Sequence, residues 1–130
     1  MSLQRTNSAG AATDNFTKYT YQANKNKLNS VGTTAAPTAY ASYAYDELGR
    51  LKSEVQTGTG APTYYLQYDV TGKIIAVYSD AAMTAPNLKA SYTYDENGNR
   101  IKTLNSTATT YYVYDAIGTV LAIYTSTTAC

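Results

Sequence analysis

Tyrosines alternate with small or polar residues in short runs along this chain, and each run ends in a turn. SYAY at residues 42–45 and SYTY at 91–94 place tyrosines two apart, on one face of an extended strand. The runs lead into Asp-x-x-Gly. Aspartate at the first position of a type I turn accepts a hydrogen bond from the backbone two residues on, and glycine at the fourth supplies a left-handed residue that lets the chain return with a bulge. Returning runs follow: RLKSEVQ at 50–56, KIIAVYS at 73–79, RIKTLN at 100–105 and TVLAIYT at 119–125. Each unit reads as a β-hairpin. Simple alternation puts Leu51, Ser53 and Val55 on one side with Lys52 and Glu54 opposite. It groups Ile74, Ala76 and Tyr78 against Ile75 and Val77, and Leu121 and Ile123 against Val120, Ala122 and Tyr124. Strands apolar on both sides predict a sheet covered on both faces.

The hairpin recurs five times, with its second tyrosine at Tyr21, Tyr45, Tyr68, Tyr94 and Tyr114. The spacings of 24, 23, 26 and 20 residues are the length of one supersecondary unit. The organisation read from this is a flexible lead-in or hairpin remnant at 1–15, repeats at about 16–28, 40–56, 64–79, 90–104 and 111–125, and a tail at 126–130. Linkers at 29–38, 57–63, 80–88 and 105–110 are loop-like and too short for crossover helices. Pro37, Pro62 and Pro86 fall six to eight residues before a second tyrosine, where they shape strand entry. No window keeps a helical period. The predicted fold is all-β: tandem antiparallel hairpins forming one twisted, curled meander sheet.

Composition narrows the function. Tyrosine supplies 15 of 16 aromatics, histidine and tryptophan are absent, and the net charge is +1. Such a chain has no basic field for nucleic acid. The longest apolar run, residues 74–78, is far short of a membrane helix. The start, MSLQRT, lacks the apolar core of a secretory signal, and its first three residues read as an expression leader. Cys130, the single cysteine, has no internal partner; it reads as a tail residue or as half of an intermolecular disulfide.

YAYDELGRL at 43–51 and YTYDENGNRI at 92–101 resemble the YD repeat of the Rhs (rearrangement hotspot) family, shared with teneurins and toxin-complex shell proteins. The family pattern is roughly Y-x-Y-D-x-x-G-R-L. Tyr43, Tyr45, Asp46, Gly49, Arg50 and Leu51 match it position by position. Tyr92, Tyr94, Asp95, Gly98, Arg100 and Ile101 match with Asn99 taken as an insertion. The third copy has Leu66 for the first tyrosine and keeps Tyr68, Asp69, Gly72, Lys73 and Ile74. The fifth keeps Tyr112, Tyr114, Asp115 and Gly118 but lacks the basic residue. The first is most degenerate, with Gln22 for the aspartate and Lys25 for the glycine. The resemblance covers residues 16–125. It implies a segment of a shell wall, secreted or at a bacterial cell surface, that packs against neighbouring repeats, self-associates, or encloses a toxin or other cargo domain.

Candidate chemistry is sparse. DENGN at 95–99 offers alternating oxygens, but a calcium loop places glycine sixth and a glutamate twelfth. Without histidine, a nucleophile elbow or a phosphate loop, the sequence predicts no enzyme, no metal and no cofactor. The turns of Asp46, Asp69, Asp95 and Asp115 should line one rim, with Arg50, Lys73 and Arg100 as a basic stripe beside it. The tyrosine rows, Tyr43, Tyr92 and Tyr112 among them, read first as a packed ladder. The alternative is an aromatic platform for glycans or a partner protein.

Overall fold

A computed structural model of the chain describes residues 3–6, 12–16, 18–32 and 39–127, the first two segments by their backbone alone. Cys130 and Pro37 lie outside these residues. The chain divides into two compact units, Met1–Thr63 and Tyr64–Cys130. The fold is all-β, built from antiparallel neighbours in chain order.

In the first unit, β1 (Leu3–Thr6) pairs with β2 (Ala12–Phe16), so these parts of the expected lead-in are strand. A separate meander follows: β3 (Lys18–Tyr21), β4 (Leu28–Gly32), β5 (Ala41–Tyr45) and β6 (Leu51–Gln56). The second unit, which takes in all of β7 (Thr63–Tyr68) but its first residue, is a meander of β7, β8 (Ile74–Tyr78), β9 (Leu88–Tyr94), β10 (Arg100–Asn105), β11 (Ala108–Tyr114) and β12 (Val120–Thr127).

Three linkers differ from expectation. Residues 29–32, expected as loop, belong to β4, because that strand pairs with β3 on one side and β5 on the other. One turn of 3-10 helix, Ala85–Asn87, carries Pro86 just before β9. The loop expected at 105–110 is shorter, because the Asn105 carboxamide oxygen accepts the amides of Thr107 and Ala108 and β11 starts at once.

All five hairpins share one register. Tyr21 pairs with Leu28, Tyr45 with Leu51, Tyr68 with Ile74, Tyr94 with Arg100 and Tyr114 with Val120. The next residue of each returning strand, Asn29, Lys52, Ile75, Ile101 or Leu121, is an unpaired bulge residue. A bulge sets two residues against one and breaks simple alternation. Leu51 therefore shares the tyrosine face with Tyr45, while Ser53 and Val55 face the other way opposite Ala44 and Ser42. Ile74 likewise separates from Ala76 and Tyr78. Val120 and Ile123 join the tyrosine face, and Ala122 and Tyr124 lie opposite.

Burial is thin. Among the described residues the buried side chains are Ala41, Ala76 and Ser53, and no large side chain is fully enclosed. The remaining protection comes from half-buried tyrosines and half-buried aliphatic side chains, Leu51, Ile74, Val77, Ile101 and Leu104 among them. The expectation that strands apolar on both faces are covered on both faces fails at β12, where Leu121 is 65%, Ile123 59% and Tyr124 63% exposed.

Candidate functional site

The repeated turns carry the polar side-chain chemistry that recurs from hairpin to hairpin. In four hairpins the aspartate amide donates to the carbonyl four residues on: Asp46 to Arg50, Asp69 to Lys73, Asp95 to Asn99 and Asp115 to Thr119, each at 2.9 Å. The glycine amide donates back to the aspartate carbonyl at 2.9–3.2 Å. Gly49, Gly72, Gly98 and Gly118 sit at φ +84° to +89°, a conformation that a Cβ disfavours. The aspartate Oδ1 accepts the amide of the residue four on in all four turns, at 2.8–2.9 Å. Asp69 and Asp115 also accept the amide two on.

These bonds hold all four carboxyls below the usual carboxylate range. At Asp46 partial desolvation opposes the shift, and hydrogen bonds from the Arg50 side chain and amide with the guanidinium charge outweigh it. The Thr71 hydroxyl leads at Asp69, the Asn99 side chain at Asp95 and the Thr119 amide at Asp115. Ionised carboxylates already engaged by the backbone are poor proton carriers near neutral pH. Their geometry is that of turn closure.

The shared hydrogen bond corrects the sequence alignment at the basic position. Asn99 closes the fourth turn where Arg50 and Lys73 close theirs, so it is no insertion. Arg100 instead takes the strand position of Leu51 and Ile74, and its guanidinium lies over Tyr92 at 4.4 Å and Tyr94 at 5.9 Å. In the first hairpin Gln22 donates to Lys27, one residue further than in the others, and Asn24 at φ +59° supplies the left-handed residue. Lys27 is thus the basic residue of that turn. It stands outside the expected stripe of Arg50, Lys73 and Arg100, although Lys27-Leu28 repeats the Arg50-Leu51 and Lys73-Ile74 pairs.

Two lysines clasp the next hairpin. Lys27 Nζ lies 5.3 Å from the centre of the Tyr45 ring, and a methyl group added at Gly49 would meet it at 2.6 Å. Lys73 Nζ lies 5.0 Å from the Tyr94 ring and donates to the Gly98 carbonyl at 2.9 Å. Arg50 pairs with its own Asp46, Nε to Oδ2 at 2.6 Å. The second tyrosine also reaches back one hairpin: Tyr94 Oη donates to the Ile74 carbonyl at 2.9 Å and Tyr114 Oη to the Arg100 carbonyl at 2.8 Å. In the second unit Tyr92, Tyr94, Tyr112 and Tyr114 share one face, through the Tyr92–Thr103–Thr110 row.

Of the tyrosines singled out for binding, Tyr43, Tyr92 and Tyr112 are all half-buried. Desolvation, then Glu54, pushes the Tyr43 phenol up. The rings exposed as a pair are Tyr111 and Tyr124, cross-strand partners on the opposite face. Alternation in sequence marks which rings share a strand face, but not which are left uncovered. Among the described residues no group of three potential metal-ligating side chains converges, and no helix is long and apolar enough to cross a membrane. No protein-family model matches the chain, and no curated protein does.

Proposed function

We propose that the chain is a structural segment of a repeat wall of the YD/Rhs kind, secreted or at a bacterial cell surface, with no catalysis of its own. Its work is to couple hairpin to hairpin so that a wall can enclose a cargo domain or meet further repeats. The observation carrying this reading is the repetition itself: five hairpins share one register and one bulge position, and four share one carboxylate-closed turn. The lysine and tyrosine links join one repeat to the next, as expected where stability comes from nearest neighbours. Exposed, uncharged β12, the outermost strand of its meander, suits association with another strand.

Tandem duplication of residues 88–107 tests the proposal. A wall of equivalent units accepts the extra hairpin and unfolds at higher urea concentration. Loss of cooperative folding on insertion would count against it. A second reading, glycan or protein binding, draws on the exposed Tyr111–Tyr124 pair. Glycan-array signal lost in a Tyr111→Ser, Tyr124→Ser double variant would favour that reading.

A further inference from the structure

The groove between the fourth and fifth turns differs from its neighbour in one chemically telling way. Between the third and fourth turns, a groove of about 440 Å³ contains Lys73, whose ammonium rests on the Tyr94 face and the Gly98 carbonyl. Lys27 makes the same approach to Tyr45 and Gly49. The next groove, about 520 Å³, presents the counterparts Tyr114 and Gly118, but Asn99 stands where Lys73 would. The Asn99 carboxamide is turned onto its own turn, donating to Asp95 Oδ2 at 3.0 Å. Its Oδ1 comes no nearer than 3.8 Å to the place of a Gly118 Cβ. Among the described residues no lysine or arginine lies over Tyr114. Asp95 and Asp115 both line this groove, and both are held ionised by their turns. Ile101 and Tyr112 line its inner wall, where an alkyl stem can lie.

We propose that this groove binds a primary alkylammonium, the head group of a lysine-like chain, donating to the Gly118 carbonyl and lying on the Tyr114 ring between the two carboxylates. Ring, carbonyl and carboxylates favour a compact cation with N–H donors, and the apolar wall favours an unbranched chain. The site does not depend on the wall reading. It serves equally a free amine or a lysine side chain carried by another protein.

Titration of the ¹⁵N-labelled chain with n-butylammonium, N-acetyl-lysine methylamide and n-butanol tests it. Amide shifts at Asn99, Gly118 and Thr119 are expected to saturate with butylammonium, with a dissociation constant on the order of millimolar. Equal saturation by the lysine derivative extends the source to protein-borne lysine, whereas response to butylammonium alone confines it to free amines. Asn99→Lys supplies its own ammonium and should abolish the response. Lys73→Met should create a second response at the Gly98 amide. Shifts that do not saturate, that butanol reproduces, or that persist unchanged in Asn99→Lys would overturn the proposal.

Discussion

Gly98 and Gly118 close equivalent turns at nearly the same φ, +84° and +89°, yet replacing them with alanine should have different effects. Holding alanine in this left-handed region costs about 1–2 kcal/mol at either site. At Gly118 a Cβ meets nothing closer than 3.8 Å, so the backbone strain is the whole effect. At Gly98 the Cβ would stand 2.8 Å from Lys73 Nζ and 3.0 Å from its Cε. The flexible lysine end moves away, and its hydrogen bond to the Gly98 carbonyl and its seat on Tyr94 go with it. A charge-assisted bond and a cation–π contact at this half-buried position, discounted for solvent, are together worth about 1 kcal/mol.

Gly98→Ala should therefore destabilise by about 2–3 kcal/mol and Gly118→Ala by about 1–2 kcal/mol. Lys73→Met keeps the stem and removes the ammonium, so it should erase the difference. Urea unfolding followed by tyrosine fluorescence, run as a double-mutant cycle over Gly98 and Lys73, measures the coupling directly. A coupling of about 1 kcal/mol is expected. If Gly98→Ala costs the same with and without the ammonium, the clasp is only a contact and the reasoning fails.

Three further outcomes follow from the same geometry. The turn carboxyls have folded pKa values below their unfolded ones, so their stabilisation is fully present above the ordinary carboxylate value near ~4 and is lost as pH falls through the lower folded values. The urea midpoint should stay flat from neutral pH to mildly acidic conditions and fall below, with no histidine step between; a midpoint that rises on acidification would refute this. Thr103 Oγ1 is buried without a hydrogen-bond partner, so Thr103→Val should stabilise by about 1 kcal/mol, read from the same unfolding curves. Tyr94→Phe should destabilise by about 1 kcal/mol by orphaning the Ile74 carbonyl, with a smaller loss for Tyr114→Phe, whose bond to Arg100 is exposed.

Much of the architecture is legible in residue order. Period, turn type and antiparallel hairpins rest on local chemistry, because Asp-x-x-Gly carries its own closing hydrogen bonds and alternating tyrosines carry their own strand preference. The repeat could be aligned from Tyr43 to Leu51 with no structure at all. The expected basic stripe is misplaced at Arg100, because an Arg-Ile pair like Arg50-Leu51 outweighs the count of residues from the aspartate. It omits Lys27 because that turn is one residue longer.

The tertiary structure alone decided how the repeats touch. A bulge adds a residue at a place set by ladder pairing, so counting twos along the chain assigned Leu51, Ile74 and Val120 to the wrong faces. That the Lys73 ammonium serves the fourth turn, while its backbone closes the third, depends on the neighbouring hairpin's register. So does the contrast between the grooves at Gly98 and Gly118, because a side chain's partner across a sheet lies some twenty residues away. Local sequence specifies each hairpin; only the pairing of strands tells which lysine lies on which tyrosine.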